Sequence, residues 1–168
     1  EYHLLFSEVN SKYVGKISGF EEKIVDVMEF LSRYPNRLKK LQWFKDEDTV
    51  LYDAPCHLVH AQKVDKNLIE LLSNLPGVKL LPIENYDWCC GSAGIYNLTQ
   101  PELSAAVLNR KMESILKVQT DNPKAKTLLT GNPGCIYQLR AGISIKKIDL
   151  DVVHPIVYLA DRLKKNES

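Results

Sequence analysis

From residue 49 onward, short apolar runs alternate with stretches in which apolar residues recur every three or four positions. The runs are Thr49 to Asp53, Val78 to Ile83, Thr127 to Thr130 and Ile145 to Leu150, each of a length that suits a buried strand. Between them the period is helical. The stretch 58–75 turns Leu68, Ile69, Leu71 and Leu72 to one side, and the stretch opened by Pro101 does the same with Leu103, Val107, Met112, Ile115 and Leu116. Ile136 to Ala141 predicts a shorter helix closed by Gly142, and Pro155 opens a last one, Ile156 to Lys164. Proline suits a first helical position because the N–H it lacks has no partner there. Upstream, residues 1–45 read as helical: Phe20, Ile24, Val27, Met28 and Leu31 line one face, and Pro35 stops that run at the preceding residue.

Four alternations of strand and helix predict an α/β fold with a mainly parallel four-stranded sheet flanked by helices, each helix returning the chain to the same edge. A length of 168 residues suits one compact domain. Within it, 1–48 is an N-terminal helical segment and 49–168 the α/β unit.

Composition narrows the function classes. A formal charge of +1 gives no general pull toward nucleic acid or acidic lipid, so no nucleic-acid partner is expected. No apolar run approaches the roughly 20 residues that cross a bilayer, and no signal peptide opens the chain, so no transmembrane segment is expected. Four cysteines in a lysine-rich chain of this kind fit a reducing, cytoplasmic setting better than a disulfide-stapled one. The opening Glu1-Tyr2-His3-Leu4-Leu5-Phe6 reads like the middle of a helix, as in a piece of a longer subunit.

The cysteines carry the candidate chemistry. Cys89 and Cys90 are adjacent and run into Gly91-Ser92-Ala93-Gly94, small residues that let backbone N–H groups approach a sulfur. Cys56 lies 32 residues before the pair and Cys135 lies 44 after it. All four follow predicted strands, and parallel strands present their C-terminal ends on one edge, where open α/β folds bind ligands. His154 follows the fourth run and belongs to the same rim. Four thiolates match the donor count of a metal centre. Buried, inert thiols and a redox disulfide are the alternatives, the second disfavoured by the strained ring that neighbouring cysteines form.

Around the thiols, His57 is placed to donate to a sulfur or to stand as a turn residue, and His60 follows it. Asn132 is placed either to donate its amide to the centre or to shape the turn with Pro133 and Gly134. Trp88 and Tyr86 either shield the site or belong to the core. Gly91 to Gly94 is not a phosphate loop, since neither the P-loop lysine nor the full dinucleotide glycine pattern is present.

Pro55-Cys56-His57, Cys89-Cys90-Gly91-Ser92-Ala93-Gly94 and Asn132-Pro133-Gly134-Cys135 with Gln138, in this order over residues 49–165, resemble the cysteine-rich CCG domain. That domain is shared by glycolate oxidase iron-sulfur subunits, lactate-utilisation proteins and the B subunit of heterodisulfide reductase. The second CCG repeat of the glycolate oxidase subunit is the most similar, with counterparts of Pro101-Glu102-Leu103-Ser104 and His154-Pro155.

The resemblance implies metal ligation by Cys56, Cys89, Cys90 and Cys135, with Asn132, His57, Gly91 and His154 beside the ligands. It implies a non-catalytic redox subunit that holds an iron-sulfur cluster and passes electrons from a flavin-containing oxidoreductase subunit to a later acceptor. Upstream ferredoxin-type and first-CCG regions of the same subunit are implied as further partners, with peripheral attachment to the inner face of the cell membrane through partners as one option. Asn132 stands where the fullest family pattern has a fifth cysteine. Four thiolates instead suit an ordinary [4Fe-4S] cluster or an all-cysteine zinc site that mediates subunit assembly. A heterodisulfide-reductase-type catalytic site is the third alternative. Exposed thiolates oxidise and exchange metal readily, so the isolated domain is expected to fold without its cluster.

Overall fold

A computed structural model describes residues 23–164. The predicted face from Phe20 lies partly outside them, and its described part begins later than the periodicity suggests. Helix α1 is Val27–Ser32, started by Asp26, whose carboxylate accepts from the Met28 and Glu29 N–H groups. Met28 alone of its residues is buried. Pro35 does end α1, but it also opens a short helix α2, Pro35–Leu38.

Four strands follow, β1 (Asp48–Tyr52), β2 (Val78–Pro82), β3 (Thr127–Leu129) and β4 (Asp151–Val153), joined into one sheet of order β2-β1-β3-β4. Every pairing is parallel, with Val50 opposite both Leu80 and Thr127, and Leu128 opposite Val152. The predicted α/β fold and parallel sheet are therefore present. The helices between the strands are α3 (Asp65–Ser73), α4 (Tyr96–Thr99), α5 (Pro101–Asp121) and α6 (Pro133–Lys146), and α7 (Pro155–Arg162) closes the unit. Among the described residues no helix is long and apolar enough to cross a membrane.

Alternation along the strands divides the core into two layers, since neighbouring side chains leave a sheet on opposite faces. Leu51, Leu128 and Val152 meet Leu108, Met112 and Ile115 of α5 and Leu139 and Ile143 of α6. Val50, Tyr52 and Leu129 on the other face meet Met28 of α1, Leu68 and Leu72 of α3, and Tyr158 and Leu159 of α7. Cys90 and Cys135 lie in the first layer.

Four expectations need correction. The run 145–150 is not a strand: α6 continues to Lys146, and the fourth strand is Asp151–Val153. Gly142 does not close the helix but lies inside it against α5, where a Cβ would come within 2.7 Å of the Met112 sulfur. The stop is Lys147, in the left-handed region at φ 54°. The stretch 58–75 is broken rather than continuous. A π-helical turn, Leu58–Gln62, ends at Lys63 with φ 58°, and α3 starts afresh at Asp65, whose buried carboxylate accepts from the Tyr86 hydroxyl at 3.0 Å. On α5 the inward stripe is Ser104, Leu108, Lys111, Met112 and Ile115, while Leu103 is largely exposed.

Candidate metal centre at the strand ends

Each cysteine is delivered by the segment that leaves the C-terminal end of a strand. Cys56 follows β1 at the entrance to the π-helical turn, Cys89 and Cys90 lie in the loop after β2, and Cys135 is in the first turn of α6 after β3. All four are free thiols.

Two sulfur pairs form there. Cys90 and Cys135 are buried with their sulfurs 3.1 Å apart. The Ser92 N–H points at the Cys90 sulfur and Lys111 stands near it. The hydrogen bond with Cys135 and those neighbours draw the Cys90 thiol down to about 6 against the opposing effect of burial. Cys135 is pushed up, by its bond with Cys90 and by burial.

In the second pair, burial raises the Cys56 thiol, the charges of Cys89 and Cys90 and its bond to the Cys89 sulfur raise it further, and the His57 N–H acts in the opposite sense. The Gly91 N–H donates to the Cys89 sulfur at 3.3 Å. Among the described residues no three His, Cys, Asp or Glu side chains are grouped around one point as a single bound ion requires. The thiols meet pairwise, and the donors aimed at them are backbone N–H groups.

Backbone geometry fixes the loop that carries the pair. Gly91 has φ +93°, and a Cβ there would fall 2.6 Å from the Ser104 carbonyl oxygen. The Ser104 hydroxyl donates to the Gly91 carbonyl at 2.7 Å and accepts from Gln138 Nε2 at 3.1 Å, which ties the loop to α5 and α6 together.

The remaining predicted neighbours are structural in their observed contacts. Asn132 is the N-cap of α6, its side-chain oxygen accepting from the Cys135 N–H at 3.2 Å, so it orients a cysteine through the backbone. His154 caps α7: Nδ1 accepts from the Ile156 N–H at 3.1 Å and Nε2 lies 3.1 Å from the Gly131 carbonyl, where it donates. His57 makes no side-chain capping bond. His60 Nε2 lies 3.1 Å from the Asp87 carbonyl oxygen, on which it donates. Trp88 is 40% exposed with the Arg110 guanidinium 4.1 Å from its ring centre, so it is not core. Tyr86 packs beside Tyr52.

Sequence reasoning missed Asp53 and Lys111. Their side chains are 1% and 2% exposed, and the ammonium donates to Asp53 Oδ1 at 2.7 Å and to the Asn85 carbonyl at 2.9 Å. Burial pushes the Asp53 carboxyl up to about 7, and Lys111 opposes that rise. The available signal was positional: residue 111 falls on the same helical face as Leu108, Met112 and Ile115. Lys111 also lines a cavity of about 520 Å³ that opens onto Cys56, Cys89 and Trp88.

Comparison with known proteins covers the stretch that carries all four cysteines. The family of cysteine-rich CCG domains matches residues 50–140. The chain is 34% identical over 162 residues, 94% of its length, to the probable glycolate oxidase iron-sulfur subunit of Bacillus subtilis (strain 168), covering 32% of that protein. It is 32% identical over 123 residues, 73% of its length, to the glycolate oxidase iron-sulfur subunit of Escherichia coli (strain K12), covering 28%. With a dihydromethanophenazine:CoB–CoM heterodisulfide reductase component of Methanosarcina acetivorans it shares 30% identity over 156 residues, 90% of its length and 36% of the relative's. The chain thus spans about a third of the length of these relatives. No solved structure matches it.

Proposed function

Since the chain belongs to the family of cysteine-rich CCG domains, we propose that it is the thiolate cradle of an iron-sulfur centre in an electron-transferring subunit of an oxidoreductase. The observation that carries this reading is the convergence of two cysteine pairs, from three separate strand ends, on one edge of a parallel sheet. The similarity to iron-sulfur subunits of glycolate oxidase supports it.

The donor chemistry suits such a group. Four thiols supply the ligand count of a [4Fe-4S] cluster, and N–H groups of His57, Gly91 and Ser92 aimed at sulfur stabilise the thiolate form in which cysteine binds metal. Cys56, Cys89, Cys90 and Cys135 would hold the cluster, which supplies a one-electron carrier. The protein's own part is to keep these thiolates at a fixed spacing and to limit water. Gly91 and Ser104 anchor the central loop, Asn132 aligns Cys135, and the Arg110–Trp88 stack stands at the outer wall of the adjoining cavity. A flavin-bearing subunit is the electron donor in this reading. The redox unit in this reading is the α/β unit from β1 onward, with Met28 of α1 packed into its core from the preceding segment.

The all-cysteine donor set is equally that of structural zinc. Anaerobic reconstitution with iron and sulfide, followed by metal analysis and electron paramagnetic resonance, separates the two. About four irons per chain and a signal that appears on reduction are expected. One zinc, no iron uptake and no signal would replace the electron-transfer reading with the zinc one.

A further inference from the structure

We propose that Lys111, held by Asp53, is the charge that sets the reduction potential of the centre bound by the four cysteines, an inference that rests on the cluster reading above. The pair is an expensive thing to bury. Taking an ammonium and a carboxylate out of water costs more than their attraction commonly returns, and well-packed apolar residues in their place are often as stable or more so. The α5 stripe around Lys111 consists of Leu108, Met112 and Ile115, so an apolar residue would fit the layer by its chemistry. Stability therefore does not account for a lysine here.

Its position gives another account. Lys111 lines the cavity onto which Cys56 and Cys89 open, and Asp53 lies three residues before Cys56. The two charges thus form a fixed dipole beside the thiols that line this cavity. The ammonium is held in place from two sides, by the Asp53 carboxylate and by the carbonyl of Asn85, which adopts the left-handed conformation at φ 55°. Water reaches almost none of it, so its field is screened far less than that of a surface lysine. An electron arriving at a thiolate-bound centre adds negative charge, and a buried cation stabilises that state more than the oxidised one. Net local charge is one of the quantities that tune such potentials. Lys111 touches no reacting atom in this scheme. It is a positioning residue that acts through the field it imposes on the cysteine ligands.

Three variants of the full 168-residue chain, reconstituted anaerobically beside wild type, test this by potentiometric titration followed by electron paramagnetic resonance. Lys111→Met is expected to lower the reduced-to-oxidised ratio at a fixed potential about tenfold, equivalent to about 59 mV for one electron. Asp53→Asn is expected to move it the opposite way. The double variant, which restores neutrality, is expected to fall between the single ones, and it carries the test if Lys111→Met alone does not fold. Melting temperatures recorded on the same samples separate stability from potential, since a purely structural pair would change the former and leave the latter in place. Variants that all titrate with wild type, or a Lys111→Met shift to higher potential, would overturn the proposal. A wild-type chain that takes up no reducible centre would overturn the cluster reading itself, before any variant is compared.

Discussion

Ser104 and Gly91 constrain each other through two separate contacts: the serine hydroxyl donates to the glycine carbonyl at 2.7 Å, and the serine carbonyl oxygen occupies the place where a Cβ on residue 91 would fall. The first turn of α5 thereby fixes the backbone immediately after Cys90. The geometry of two ligating candidates depends on a helix that contains no cysteine.

Gly91→Ala should accordingly be costly in a way few surface glycine changes are. The substituent meets backbone rather than a movable side chain, and φ +93° is a strained region for alanine. The expected loss is about 2–3 kcal/mol in denaturant unfolding, accompanied by reduced iron uptake on reconstitution. Unchanged stability and full uptake would show that the loop has another way to close.

Replacing Cys90 by Ser should lower or convert the bound metal, because a hydroxyl is a far poorer thiolate substitute at neutral pH. Ser73→Ala, at the exposed end of α3, should leave metal content as it is. Elemental analysis of the two proteins reconstituted side by side checks this, and full stoichiometry in the Cys90 variant would remove it from the ligand set.

Arg162 is expected to act as a clamp far from the thiols. Its guanidinium donates to the carbonyls of Phe44, Asp46 and Pro76 at 3.0, 2.8 and 2.9 Å, joining α7 to the segment before β1 and to the turn before β2. Arg162→Ala leaves these carbonyls without their donor and should destabilise the chain by about 3 kcal/mol, with metal content of the folded fraction unaffected. Thermal unfolding and metal analysis together read both parts.

Stability should fall steeply on the alkaline side. Burial and neighbouring carboxylates raise the hydroxyl pKa of Tyr52, and burial with the 2.8 Å bond to Asp48 raises that of Tyr158. Both groups hold their protons more tightly folded than unfolded. Their contribution is therefore complete below the ordinary phenol value of about 10 and is lost as pH climbs through the raised folded values. In an alkaline titration, part of the phenolate absorbance should appear only together with the loss of helical circular dichroism. Smooth titration of every tyrosine before unfolding would contradict this.

The sheet was legible in the sequence because Val50-Leu51, Leu80-Leu81 and Leu128-Leu129 are short apolar pairs, each followed by turn residues and a cysteine. The fourth strand was misread because Ile143 and Ile145, then Ile148 and Leu150, are each spaced by two as in a strand, although Ile143 packs inward from a helix while Ile145 is largely exposed. Periodicity over so few residues does not separate the two. Gly142 misled for a related reason: a glycine demanded by the approach of α5 and α6 looks the same in sequence as one that ends a helix. The cysteines and their common edge could be inferred from spacing, whereas Asp53–Lys111 could not. That pair is 58 positions apart, and nothing local to either residue announces the other.

The strand order β2-β1-β3-β4 also bears on when the site can come into being. Cys56 and Cys135 leave the neighbouring strands β1 and β3, yet the whole of β2, its loop and α5 lies between them in the chain. Bringing them together closes a long loop, which is among the slower steps for a folding chain. An emerging polypeptide that has formed only β1 and β2 holds Cys56, Cys89 and Cys90 but lacks the sulfur that faces Cys90. The fourth thiol arrives only when β3 docks, so the set of four is complete only after β3 has been made and paired.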